Sequence, residues 1–83
     1  MHNIILCRSL TNAQRAANTL QHAGIFASVT KAPQNANPAG CTYGVKIGER
    51  NLSKALSLLR QAGIKFGKVF ALDFDGDIRE VAP

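Results

Sequence analysis

The chain has 83 residues, 46 % of them hydrophobic and 18 % charged, and carries a formal net charge of +5. A chain of this length buries only about 60–65 % of its unfolded surface, which excludes two separate cores and leaves one thin, two-layer domain spanning residues 1–83. The apolar-to-charged balance excludes wholesale disorder.

The charge is unevenly spread. Asp73, Asp75, Asp77 and Glu80 all lie close to the C-terminus, and Glu49 is the only acid before them. The body of the domain is therefore strongly basic and suited to an anionic partner. The longest apolar run, Ile4 to Cys7, is too short to cross a bilayer, and no basic start followed by an apolar stretch marks an export signal. The expectation is a cytoplasmic protein with no membrane association, its two cysteines Cys7 and Cys41 kept reduced.

In chain order, the branched and apolar run Asn3 to Arg8 predicts a strand. Ser9 or Thr11 then offers an N-cap, and Ala13, Ala16, Ala17, Leu20 and Ala23 recur at helical spacing until Gly24. Ile25 to Thr30 predicts a second strand. The stretch Lys31 to Cys41 holds Pro33, Pro38, Asn35, Asn37 and Gly40, residues that continue neither a helix nor an interior strand, and it is read as a surface loop. Thr42 to Ile47 alternates, with Tyr43, Val45 and Ile47 on one face. Asn51 can cap a second helix whose buried stripe is Leu52, Ala55, Leu56, Leu59 and Ala62, ended by Gly63. Lys68 to Phe74 predicts a fourth strand, and the Asp75-Gly76 turn lets Asp77 to Val81 pair back as a hairpin strand.

The two helices align at an offset of 39 residues: Asn12 with Asn51, Leu20 with Leu59, and the Ala23-Gly24-Ile25 triplet with Ala62-Gly63-Ile64. The repeat halves run over residues 3–30 and 42–74, with the loop 31–41 between them. Helices with one apolar stripe bury it against a sheet, so two strand-helix-strand units predict an α+β, ferredoxin-like βαββαβ two-layer sandwich. Its antiparallel sheet has order 4-1-3-2. That topology gathers Cys7, Arg8, Lys31, Cys41, Lys65 and Lys68 at one end of the sheet, with no acid expected among them. A thiol beside cations and a helix N-terminus ionises more easily than a free one.

The helix ending in A-G-I, the proline-bearing loop closing on Cys41, and the second helix ending again in A-G-I together resemble the small selenium/sulfur (Se/S) carrier protein-like family over residues 3 to about 73. The resemblance implies that sulfur or selenium is bound or passed on the loop cysteine, a role that maps onto Cys41. The family commonly has Pro-Arg early in this loop and Cys-Gly at its end, where this chain has Pro33-Gln34 and Cys41-Thr42.

The function expected is a carrier whose Cys41 thiolate accepts sulfur or selenium as a persulfide or perselenide from a donor such as a cysteine desulfurase. Cys7 is a candidate resolving thiol, or simply a core residue, and Arg8, Lys31, Lys65 and Lys68 are candidate binding cations. No cofactor is implied. Cys7 and Cys41 lack metal-ligand spacing, and neither His2 nor His22 completes a nucleophile-base set, so a carrier or binding protein is favoured over a stand-alone enzyme. The alternative is a basic nucleic-acid-binding or protein-interaction domain. Nucleic acid is the weaker partner, because the third strand offers only Tyr43 for stacking.

Overall fold

The computed structural model describes residues 2–31, 43–72, 75 and 78–81. β1 (His2–Cys7) leads through Arg8 and Ser9 into α1 (Leu10–His22). Ser9, not Thr11, is the N-cap: its hydroxyl accepts from the Asn12 N–H at 3.1 Å, satisfying one of the unpaired donors of the first turn. β2 (Ala27–Lys31) and β3 (Tyr43–Gly48) follow, then a 3₁₀ turn (Glu49–Asn51) running into α2 (Leu52–Gln61), β4 (Val69–Leu72) and β5 (Ile78–Val81). Asn51 makes no side-chain cap bond, because it belongs to the 3₁₀ turn and its backbone is already turning.

The five strands form one antiparallel sheet in the order β2-β3-β1-β4-β5. Read from the other edge the order is 5-4-1-3-2, so the expected 4-1-3-2 arrangement holds for β1–β4 and β5 is added outside β4. The sheet differs from a four-stranded one in that β5 is a full member, pairing Leu72 with Ile78 through Val69 with Val81. Of the turn predicted between β4 and β5, Gly76 lies outside the described residues.

Both helices pack on one face. Ala13, Ala16, Ala17 and Leu20 of α1 and Ala55, Leu56 and Leu59 of α2 join Ile5, Cys7, Ala27, Val45, Ile47 and Val69 in the main core. The small alanine side chains let α1 lie close to the sheet. Ala23 and Ala62, read from their spacing as buried, are exposed, because each sits where its helix has already ended. On the opposite face Ile4, Leu6 and Phe70 form a second buried cluster, flanked by Leu72 and Ile78.

The A-G-I repeat has a common backbone cause. Gly24 (φ +83°) and Gly63 (φ +72°) adopt the left-handed conformation that glycine reaches without Cβ strain. Each lets the following isoleucine turn back under its helix: the Ile25 N–H donates to the Leu20 carbonyl at 2.9 Å and the Ile64 N–H to the Leu59 carbonyl at 3.0 Å. Both isoleucines are buried.

Candidate functional site

One end of the sheet collects the chain's chemistry. β1 finishes there, and the ladder places Cys7 opposite Tyr43, which in turn stands opposite Lys31. Residues directly opposite in a ladder share a face, so all three belong to the helix-covered side. Cys7 is wholly buried in the core, its Sγ donating weakly to the Ile5 carbonyl at 3.7 Å. Tyr43 is half-buried against the same cluster. A ring so placed adds to the core on one side. Lys31 is exposed at the end of β2.

Beyond the β1 ladder the main chain continues to pair. The Leu6 N–H donates to the Lys68 carbonyl at 2.9 Å and the Gly67 N–H to the Leu6 carbonyl at 2.7 Å. This draws the segment between α2 and β4 against the end of β1 and sets Arg8 beside Lys65 and Phe66. Arg8, Arg60, Gly63, Ile64, Lys65 and Phe66 line a cleft of ≈ 470 Å³. The Arg60 guanidinium lies over the Phe66 ring, 5.8 Å from its centroid, within range of a cation–π attraction.

Of the candidate site residues, Arg8 and Lys65 therefore share one cleft. Lys68 does not line it: its Nζ is 3.2 Å from Oε1 of Glu80, so the expectation that no acid reaches this end is corrected. β5 brings one there, because its pairing with β4 runs back toward the start of that strand. Cys41 and Thr42 lie outside the described residues. His2, at the start of β1, and His22, in the last turn of α1, belong to the far end of the sheet and are exposed. Among the described residues no group of three or more His, Cys, Asp or Glu side chains comes together that could hold a metal.

Two residues of the cleft are absent from the sequence reading, Arg60 and Phe66. The signal was available for Arg60, which occupies the last turn of a helix that the Gly63 stop brings to this end of the sheet. Helical periodicity identifies the buried stripe but not what the last exposed side chain will face.

The fold and its cationic end define a small basic α+β protein with two helices laid on one face of a five-stranded antiparallel sheet. The chain belongs to the family described as "Putative Se/S carrier protein-like", whose model matches residues 2–71. No curated protein and no solved structure gives a significant match. Among the described residues no helix is long and apolar enough to cross a membrane.

Proposed function

We propose that the protein is a cytoplasmic sulfur or selenium carrier of ferredoxin-like architecture that works through Cys41. The Cys41 thiolate attacks the terminal sulfur of a persulfide on a donor protein such as a cysteine desulfurase. A new S–S bond forms at Cys41, the donor's S–S bond breaks, and the donor cysteine leaves as thiolate, so sulfur moves with no net oxidation. Selenium follows the same course as a perselenide. The chain itself needs no cofactor and no general base for this step.

The observation that carries the reading is the family match, which spans the Cys41 position, together with the setting of its neighbour. Tyr43, two residues after Cys41 in the sequence, stands in register with Cys7 and Lys31 at the end bearing Arg8 and Lys65. Nearby cations favour the thiolate over the thiol. Lys31 is exposed there to steer an acidic partner surface, and Lys68, paired with Glu80, contributes less. Cys7, wholly buried, serves in this reading as packing. A resolving role would have it attack the Cys41 sulfur and release hydrosulfide, which requires the end of β1 to open.

Intact-mass spectrometry after incubation with a cysteine desulfurase and cysteine, or with a selenium donor, tests the proposal. A mass gain mapped to Cys41 and lost in Cys41→Ser supports it, and onward transfer to an acceptor completes it. A protein that stays unmodified while an established carrier thiol loads under the same conditions is an interaction domain instead.

A further inference from the structure

We propose that the cleft between the end of β1 and the C-terminal end of α2 binds a phosphate monoester with an apolar body, held by Arg8, Arg60 and Lys65. The inference does not rest on the chemistry of Cys41. Three cations from three separate segments line the cleft: Arg8 after β1, Arg60 in the last turn of α2, and Lys65 in the strand-like approach to β4. Among the described residues no carboxylate lines the cleft, and the only ion pair, Lys68–Glu80, lies outside the lining. Three positive charges lining one cleft favour an anion there over a neutral ligand.

The ligand class follows from size and lining. A cleft of ≈ 470 Å³ falls within the roughly 300–1,000 Å³ range of small organic ligand sites and is roomier than a bare oxyanion requires. Ile64 and Phe66, one buried in the main core and one packed against it, are among its lining residues, which gives the cleft an apolar side. Two arginines supply planar forks that match phosphate oxygens two at a time, and a lysine adds a point charge. The Arg60 guanidinium already rests over the Phe66 ring, 5.8 Å from its centroid. A long side chain already held in place loses less rotamer freedom when it closes on an anion.

The test is a titration of the full-length protein with phenyl phosphate, read by amide chemical shifts and by calorimetry, with inorganic phosphate and phenol as the other arms. Saturable binding is expected to perturb residues 63–67. Inorganic phosphate should bind several-fold more weakly and phenol not measurably. Arg60→Gln and Arg8→Gln should each weaken phenyl phosphate about tenfold, through loss of a charge-assisted hydrogen bond, and Lys65→Gln by less. Binding should persist in Cys41→Ser, which separates this site from the thiol. Lys65 is exposed, so its variant reports on the site even if an arginine variant loses its fold. Equal affinity in wild type and all three cation variants would overturn the proposal, as would shifts confined to other parts of the protein. Inorganic phosphate binding as tightly as phenyl phosphate would overturn the assignment of an apolar body.

Discussion

Cys7 and Tyr43 stand opposite each other in the β1–β3 ladder, on the face that the helices cover. The thiol of Cys7 is wholly buried while the tyrosine ring closes the core beside it, half-exposed. Thiol reagents therefore reach Cys7 only when the sheet end opens. In Cys41→Ser, native labelling of Cys7 should be slower than denatured labelling by orders of magnitude. Fast native labelling would mean that this end of β1 opens readily and would revive a resolving role.

Cys41 is expected to behave in the opposite way. Its rate of alkylation should rise with pH about a midpoint below the roughly 8.5 of an ordinary thiol, because the cations at this end favour the charged form. The midpoint should move up in Lys31→Gln, and further when Arg8→Gln is added. A curve centred at the ordinary thiol value in wild type would remove the electrostatic argument for activation.

Gly44 marks a place where two strands leave no room for a side chain. A Cβ added there would lie 2.9 Å from the Ile4 Cγ2 and 2.9 Å from the Ile5 carbonyl oxygen. The isoleucine methyl can swing away; the backbone oxygen of the central strand cannot. Gly44→Ala should cost about 1–3 kcal/mol, seen as a lower midpoint in urea with little change in slope. An unchanged midpoint would show that the ladder relaxes without loss.

Asn3 is the buried polar residue of the core, its Oδ1 enclosed and without a hydrogen-bond partner. Leaving such an acceptor unsatisfied costs about 1–3 kcal/mol, and a strand position favours a β-branched replacement. Asn3→Val should therefore stabilise the protein by about 1 kcal/mol, raising Tm by roughly 4–8 °C for a domain of this size. A lower Tm would point to a compensating interaction at the amide.

The strands and helices were legible because their signals are local. Alternation in Tyr43–Val45–Ile47 and the stripe Ala55–Leu56–Leu59 each report one face, and Gly24 and Gly63 stop their helices where the sequence places them. Ser9 and Thr11 competed for one cap, Thr11 with the added capping-box pattern to Gln14, yet the path out of β1 gives the cap to Ser9. The cleft was less legible than the fold. Arg8 and Lys65 could be assigned to one end of the sheet from topology, but Arg60 meets Phe66 through the turn at Gly63, and Glu80 meets Lys68 through the β4–β5 register. Both depend on how non-adjacent segments dock, which no local pattern encodes.

The two left-handed glycines also shape a second hollow. Behind Gly24, at the other end of the sheet, Gln21, Gly24, Ile25 and Phe26 line a shallower hollow of ≈ 330 Å³. The offset that superposes Gly24 on Gly63 carries Gln21 onto Arg60 and Phe26 onto Lys65. A doubled strand-helix-strand unit thus produces two hollows by the same backbone turn, one under each helix exit. Their linings differ. One holds cations from three segments, while the other presents a neutral amide that donates to the Ala27 carbonyl at 2.7 Å and a phenylalanine 84 % exposed. The neutral hollow is thus a built-in control: Gln21→Arg with Phe26→Lys transplants two of the three cations to the repeat-equivalent position, and asks whether charge alone turns a helix-end hollow into a receptor.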